Sequence, residues 1–219
     1  MATCLVTGAN RGIGLSLVRH LLARGETVIG TSRGPAPDLE ATGARVERLD
    51  VADGASIAAL AARLAGTRID LLVNNAGILS RQTLDHLDVE AIQAQFTVNA
   101  LGPLRVTAAL RDQLPQGATV GIVTSRMGSV TDNTSGGAYG YRMSKAAVNM
   151  AGQSLAHDLR PAGVAVVLLH PGYVRTGMTG GRGNWGPDEA AAGLLEQLDA
   201  TTLDNTGRFV HANGSPLPW

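Results

Sequence analysis

A tyrosine and a lysine, Tyr141 and Lys145, stand four residues apart in a segment whose apolar spacing predicts a helix over residues 138–159. Residues four apart share one face of a helix, so the phenol and the ammonium group should be neighbours. A free phenol has a pKa of about 10 and is a weak base at neutral pH. A nearby positive charge favours the phenolate and lowers that pKa. The pair indicates a proton donor and acceptor, although the same spacing also arises by chance in exposed helices.

Three glycines near the start of the chain form a second candidate site. Gly8, Gly12 and Gly14 follow a short apolar run and precede apolar residues at helical spacing. Gly8 permits a tight turn, and Gly12 lets main-chain N–H groups approach a pyrophosphate at the positive end of the helix. Gly14 lets the helix pack closely on the sheet. The pattern favours a dinucleotide site over an ordinary glycine-containing loop.

The rest of the chain alternates predicted strands with predicted helices. After the first strand, predicted strands cover residues 27–31, 45–49, 69–73, 119–124, 164–169 and 208–211. Predicted helices cover residues 56–64, 89–110, 138–159 and 187–198, with an interruption at Gly102-Pro103 and a loop over residues 34–42. This alternation predicts an α/β fold, a Rossmann-type doubly wound and mostly parallel sheet of about seven strands with helices on both faces. Sites in such sheets form at the carboxyl ends of the strands.

Length and composition limit the class of protein. The 219 residues suit one domain, residues 1–219, with a substantial core. Eighteen basic and 18 acidic residues give no net charge, so the sequence does not favour binding to nucleic acid or to a membrane surface. A single cysteine, Cys4, excludes an intramolecular disulfide, and no signal peptide or 18-residue apolar span is evident. These features predict a cytoplasmic protein.

Five motifs, in a fixed order, resemble those of the short-chain dehydrogenase/reductase family. They are TGANRGIG at residues 7–14, NNAG at 74–77, VNALGP at 98–103, YRMSK at 141–145 and HPGYVRT at 170–176. The C-terminal sequence GRFVHANGSPLPW resembles the compact carbonyl-reductase-like branch of that family. The resemblance implies an oxidoreductase that interconverts a carbonyl and an alcohol by hydride transfer.

Four catalytic residues are implied by this resemblance. Tyr141 would be the general acid and base, and Lys145 would lower its pKa and hold the nicotinamide ribose. Ser125, at the end of a predicted strand, would orient the substrate carbonyl. Asn99 would hold a helix bulge near the lysine.

Two alternatives to these residues stay open. Ser125 precedes Tyr141 by sixteen residues, which is longer than the common family spacing, so Ser129 is a rival serine. Tyr139 is a rival phenol, but it has no lysine four residues further on.

The expected cofactor is NADP(H) rather than NAD(H). NAD-preferring sites place an acid roughly 20 residues after the glycines, at the end of the second strand. This chain has Arg33 there, and Arg33 and Arg11 could bind a 2′-phosphate. The cofactor-binding residues implied by the resemblance are Gly8, Asn10, Arg11, Gly12, Ile13, Gly14, Arg33, Asp50, Val51, Asn75, Ala76, Gly77, Tyr141, Lys145, Pro171, Gly172, Val174 and Thr176. No metal site is expected.

The expected partners are a small carbonyl or alcohol substrate and a second copy of the chain. By resemblance, the helix over residues 138–159 and the segment around 98–110 would form a homodimer interface, with a tetramer or a monomer as alternatives. A glycine-rich segment, residues 177–186, predicts a mobile lid in which Met178 or Trp185 closes over the substrate.

Two other functions stay open. The first is a dinucleotide-binding sensor or signalling protein with vestigial catalysis, against which the intact Ser125, Tyr141 and Lys145 argue. The second is a nucleotide-sugar epimerase or dehydratase, which typically has a wider glycine spacing and a larger C-terminal substrate domain.

Overall fold

A seven-stranded parallel sheet forms the centre of the computed structural model, which describes residues 1–219. The strands are β1 (Thr3–Val6), β2 (Thr27–Ser32), β3 (Arg45–Arg48), β4 (Leu71–Asn74), β5 (Thr119–Val123), β6 (Ala165–His170) and β7 (Phe209–His211). Their order is β3-β2-β1-β4-β5-β6-β7, and every neighbouring pair is parallel. The order reverses between β1 and β4, which confirms the predicted doubly wound topology and places the switch point there.

Seven α-helices accompany the sheet. They are α1 (Gly12–Ala23), α2 (Pro37–Glu40), α3 (Gly54–Arg63), α4 (Val89–Phe96), α5 (Gly102–Ala109), α6 (Tyr139–Leu159) and α7 (Pro187–Asp199). A π-helical stretch, Thr97–Leu101, joins α4 to α5. No helix is both long enough and apolar enough to cross a membrane.

Two apolar cores lie on the two faces of the sheet. Helices α1, α2 and α7 cover one face, where Leu17 and Leu194 are fully buried. Helices α3, α5 and α6 cover the other, where Leu60, Val106 and Val148 are fully buried. Strand β6, which has a neighbour on each side, is apolar on both faces and buried from residue 165 to residue 169, as a parallel strand covered on two sides requires. Because helices pack on both faces, the carboxyl ends of the strands have fixed positions, and so do the loops that follow them.

Two local predictions are wrong. The predicted loop over residues 34–42 contains α2, because the fixed φ of Pro37 suits the first turn of a helix and Leu39 is fully buried. The predicted break at Gly102-Pro103 lies earlier, in the π-helical stretch Thr97–Leu101. Pro103 instead falls in the first turn of α5, where its missing N–H is not needed.

Candidate active site and cofactor cleft

A cleft of about 470 Å³ opens at the carboxyl ends of the central strands. That volume lies within the range of small-molecule and cofactor sites. Of the residues predicted to bind cofactor, those lining it are Gly8, Asn10, Arg11, Gly12, Ile13, Gly14, Arg33, Asp50, Val51, Asn75, Ala76, Gly77, Tyr141, Lys145, Pro171 and Thr176. The fold therefore brings together motifs that lie far apart in the sequence.

The glycine-rich turn between β1 and α1 forms one end of this cleft. Gly8 has a φ of 63°, which favours glycine. A Cβ on Gly14 would lie 2.3 Å from the main-chain oxygen of Gly8, so the close approach here is to the turn itself. Helix α1 begins at Gly12 without a side-chain cap. Its first N–H groups lack partners within the helix and lie at the wall of the cleft, where they can bind an anion.

The Asn-Asn-Ala-Gly segment after β4 is bonded directly to that turn. The hydroxyl of Thr7 accepts hydrogen bonds from the main-chain N–H groups of Asn75, at 3.0 Å, and Ala76, at 3.1 Å. The Asn75 side chain donates to the main-chain oxygens of Thr7 and Gly8. The two motifs therefore hold each other's backbone in place.

Positive charge dominates the end of the cleft beside β2. Arg11 and Arg33 are exposed, line the cleft and form no ion pair with any carboxylate. The strand ends in Ser32, whose hydroxyl donates to the main-chain oxygen of Gly34 at 2.6 Å. Asp50 is the one carboxylate among the lining residues, and it accepts from the N–H of Ala52. This end of the cleft therefore suits a doubly charged anion.

Tyr141 and Lys145 lie side by side in α6, and both are buried. The Lys145 ammonium nitrogen is 5.7 Å from the centre of the Tyr141 ring and donates to the main-chain oxygen of Val123 at 2.8 Å. Burial lowers the pKa of Lys145 to about 8. Burial also raises the pKa of Tyr141, and a hydrogen bond with Ser125 offsets only part of this. Lowering of the phenol pKa by Lys145 therefore stays a prediction, since burial and Ser125 account for the shift of Tyr141 here.

Ser125 and Ser129 have different surroundings. Ser125 begins a short 3₁₀ turn after β5, accepts from the N–H of Met127 at 3.1 Å and lies near enough to Tyr141 to lower the pKa of the phenol. The Ser129 hydroxyl donates to the main-chain oxygen of Trp219 at 3.1 Å and accepts from the N–H of Asp132 at 3.0 Å. Of the two serines, Ser125 is therefore the one that meets the phenol.

The rival phenol, Tyr139, is half-buried and does not line the cleft. It begins α6, whereas Tyr141, two residues further along, is buried and lines the cleft. The geometry favours Tyr141 over Tyr139.

Asn99 lies in the π-helical stretch and is fully buried. Its side-chain nitrogen donates to the main-chain oxygen of Ile78, at 2.9 Å, and to the hydroxyl of Ser144, at 3.0 Å. Its side-chain oxygen accepts from the N–H of Ile78 at 2.9 Å. Asn99 thus joins the helix bulge, the segment after β4 and α6 beneath the cleft.

The segment after β6 matches the predictions in part. Pro171, Thr176 and Met178 line the cleft, whereas Gly172 does not and Val174 is buried. Trp185, the other proposed lid residue, does not line the cleft in this structure. Its ring packs on that of His211 at 5.4 Å.

The same segment is tied to its surroundings by main-chain bonds. The N–H of Arg175 donates to the oxygen of Trp185, and the N–H of Trp185 donates to the oxygen of Tyr173. These pairings and the aromatic contact offset part of the entropic cost of order in a segment with five glycines, and its ordering as a lid on ligand binding stays a prediction.

Several residues that line the cleft were not predicted as site residues from the sequence. They are Ser32, Gly34, Leu49, Ile78, Val98, Val123, Thr124 and Gly177. Each of them is next to a residue that was predicted from the sequence, or lies at the end of a strand. Adjacency to strand ends was therefore the signal that could have found them.

Comparisons with known proteins agree with this geometry. A family model described as short chain dehydrogenase matches residues 2–186. The chain is 46% identical over 226 residues to the 1-hydroxy-2-glutathionyl-2-methyl-3-butene dehydrogenase of Rhodococcus sp. (strain AD45), with 100% of both proteins covered. It is 47% identical over 154 residues to C-signal of Myxococcus xanthus, covering 69% of this chain and 93% of that protein.

A solved structure extends the likeness to the whole fold. The NADPH-bound carbonyl reductase from chicken fatty liver superposes with a TM-score of 0.90 at 34% identity, covering 100% of this chain and 98% of that one. With the family match over most of the length, these findings show that the chain belongs to the short-chain dehydrogenase family of oxidoreductases.

Proposed function

We propose that the protein interconverts a carbonyl compound and its alcohol with NADP(H), using Tyr141 as the general acid and base. One observation carries the proposal. A buried phenol with Ser125 and Lys145 beside it lines the same cleft as an uncapped helix N-terminus and two unpaired arginines. The cleft therefore combines a site for proton transfer with a site for a phosphorylated cofactor.

The residues of the cleft fit a dinucleotide. The main chain of Gly12 to Gly14 can receive a pyrophosphate, since no side chain caps the N–H groups there. Asp50, Val51 and the residues from Asn75 to Gly77 would flank the adenosine, and Pro171 and Thr176 would meet the nicotinamide end. When bound, the cofactor supplies or accepts the hydride.

NADP(H) is preferred over NAD(H) because of the charges beside β2. Arg11 and Arg33 have no carboxylate to neutralise them, and no acid ends the strand. Guanidinium groups bind phosphate oxygens through paired, charge-assisted hydrogen bonds. The NADPH-bound chicken carbonyl reductase, a relative at 34% identity, supports the same choice.

Tyr141 moves the proton. In reduction, the carbonyl carbon gains a hydride while the oxygen takes the proton of the phenol, and the C=O bond becomes C–OH. In oxidation, the phenolate takes that proton back. Ser125 would hold the substrate oxygen at the phenol, since its hydroxyl lies near enough to Tyr141 to lower the pKa of that group.

Lys145 and Asn99 support the proton transfer by Tyr141. The Lys145 ammonium group is fixed on Val123 and lies beside Tyr141, where its charge stabilises the phenolate left after proton donation. Asn99 hydrogen-bonds to Ile78 and to Ser144, and these bonds fix the distance between the segment after β4 and α6.

A narrower substrate class is favoured by one relative. The Rhodococcus protein is named for a hydroxy compound that carries a glutathionyl group, and it matches this chain over its full length. Arg126 directly follows Ser125, and its side chain is 61% exposed. A carboxylate on a substrate could compete with Asp132 for this guanidinium. An alcohol bearing a glutathione group is therefore our first choice of substrate for the dehydrogenase direction.

A screen tests the proposal. NADPH oxidation is followed with aldehydes, ketones and quinones, and NADP⁺ reduction with alcohols, including glutathione conjugates of hydroxy compounds. The proposal expects turnover with at least one of these classes. Tight NADPH binding without turnover across the whole set would favour a dinucleotide sensor instead.

A further inference from the structure

The helix that carries Tyr141 begins in an unusual way. Ala138, the residue before α6, has φ 48° and ψ 43°, and it is the one non-glycine residue of the chain with a positive φ. Left-handed backbone is strained for a residue with a side chain, because its Cβ crowds the following carbonyl oxygen. The side chain of Ala138 cannot cap the helix, so the first N–H groups of α6 need a partner from elsewhere.

Gln82 supplies that partner from a distant part of the chain. Its side-chain oxygen accepts from the N–H of Gly140 at 3.2 Å, and its main-chain oxygen accepts from the N–H of Ala138 at 3.0 Å. The two bonds bracket the first residue of α6 and end one residue before Tyr141. Gln82 is only 3% exposed, so water does not replace these bonds easily.

Gln82 is itself held by a chain of amide contacts. Its side-chain nitrogen donates to the Ser80 hydroxyl at 2.6 Å, and the Ser80 N–H donates to the Gln95 side-chain oxygen at 2.9 Å. Gln95, in α4, is fully buried and donates to the main-chain oxygen of Ala91 at 3.2 Å. A Cβ on Gly140 would lie 2.5 Å from the Gln95 side-chain nitrogen, so a glycine is needed where the helices meet.

We infer that Gln82 is a positioning residue for the reaction, a role that rests on the proposed function. It fixes the first turn of α6 against the segment after β4, and thereby sets the phenol of Tyr141 relative to Ser125. Residues 76–78 of the same segment line the cleft. A shift of about 1 Å in a reacting group can lower a rate roughly 100-fold. Loss of this cap should therefore reduce kcat more than cofactor affinity.

Three substitutions of Gln82 separate positioning from simple stability. Gln82→Met has a similar length and no hydrogen-bonding group, and Gln82→Asn keeps the amide but is too short to reach Gly140. Gln82→Glu keeps the acceptor oxygen and adds a negative charge at a helix N-terminus, which is favourable. Gln113→Met is the matched control, because the Gln113 side-chain oxygen is buried without a partner and lies away from the cleft.

The experiment measures kcat, KM, the Kd of NADPH and amide hydrogen exchange over residues 136–142. We expect Gln82→Met and Gln82→Asn to lower kcat by about 10- to 100-fold, with the NADPH Kd changed less than about twofold. Exchange at Gly140 should quicken in both. Gln82→Glu should keep kcat within about threefold of the wild type, and Gln113→Met should match the wild type in every readout.

Several results would overturn the inference. Wild-type kcat in Gln82→Met is one, and loss of kcat in Gln82→Glu as large as in Gln82→Met is another. Parallel loss of kcat and NADPH affinity would indicate general loosening instead of positioning. An inactive wild type would overturn the proposed function and with it the kinetic role. In that case, unchanged exchange at Gly140 in Gln82→Met would show separately that Gln82 is not the cap.

Discussion

The ammonium nitrogen of Lys145 lies 5.7 Å from the centre of the Tyr141 ring, yet its hydrogen bond goes to the main-chain oxygen of Val123. This hydrogen bond fixes the position of the Lys145 ammonium group in the wall of the cleft. Burial raises the pKa of Tyr141, so the phenol is protonated at neutral pH. A neutral phenol beside a fixed positive charge is suited to giving up a proton, because the charge stabilises the phenolate that remains.

The buried Lys145 should leave a signature in the pH dependence of stability. Its pKa is about 8 in the folded protein and about 10.4 in an unfolded chain. Between these values the unfolded state binds more protons, so stability rises with pH. The wild type should gain about 3 kcal/mol in free energy of unfolding relative to Lys145→Met between pH 8 and pH 10.4.

Denaturant unfolding of the two proteins across this range checks the expectation. A difference that stays constant with pH would show that the Lys145 ammonium group is not desolvated. Arg19→Met, at an exposed residue of α1 that forms no ion pair, serves as a control and should show no such slope.

The two serines after β5 should respond differently to removal of the hydroxyl. Ser125→Ala should lower kcat by about 100-fold, because the substrate oxygen loses its hydrogen bond. Ser129→Ala should keep most of the rate and lose about 1 kcal/mol of stability, because its bond to Trp219 is structural. Steady-state kinetics and thermal unfolding of both variants decide the matter, and the opposite pattern would make Ser129 the catalytic serine.

Arg33 should set the choice between the two cofactors. Arg33→Asp should weaken NADPH binding by about 10- to 100-fold and leave NADH binding unchanged or stronger, since a charge-assisted bond to a 2′-phosphate contributes about 1.5–3 kcal/mol. Arg19→Asp makes the same charge change on the exposed side of α1, outside the cleft lining, and should alter neither affinity. Equal affinities of the wild type for NADPH and NADH, measured by titration, would contradict the assignment.

Exposed apolar side chains on α4, α5 and α6 favour the predicted homodimer. Phe96, at 39%, Leu104, at 37%, Met143, at 54%, and Met150, at 69%, leave large exposed areas on these helices. Sedimentation at micromolar concentration should show twice the 22.6 kDa chain mass. Met150→Glu should shift the species toward the monomer, and Leu84→Glu, in the loop before α4, should not. A single 22.6 kDa species in the wild type would contradict the prediction.

The sequence predicted the sheet well because a parallel strand buried on two faces leaves a clear apolar run. All seven strands were expected. For β4, which ends at Asn74, and β6, which ends at His170, the predicted first and last residues differ from the observed ones by no more than two. Apolar spacing does not distinguish one wide helical turn from regular α-helix, so only the family resemblance indicated the helix bulge at Asn99, which the structure shows as the π-helical stretch.

Distant contacts explain the other differences at the site. The sequence suggested Trp185 as a lid residue, because its glycine-rich neighbours do not indicate the contact of its ring with His211, which lies 26 residues further on. The cap that Gln82 provides for α6 crosses 58 residues and has no local pattern. The pKa of Tyr141 depends on burial, which spacing alone does not give.

Transfer of deuterium from labelled NADPH tests the central claim most directly. NADPH deuterated at the transferable position of the nicotinamide is incubated with a carbonyl substrate and the wild type, Tyr141→Phe or Tyr139→Phe, and the product is analysed by mass spectrometry. The wild type and Tyr139→Phe should yield an alcohol with one deuterium on the carbinol carbon. Tyr141→Phe, which keeps the ring but lacks the proton donor, should slow this product by a factor on the order of 1,000 while still binding NADPH. Absence of deuterated alcohol from the wild type, or an undiminished rate in Tyr141→Phe, would contradict the account.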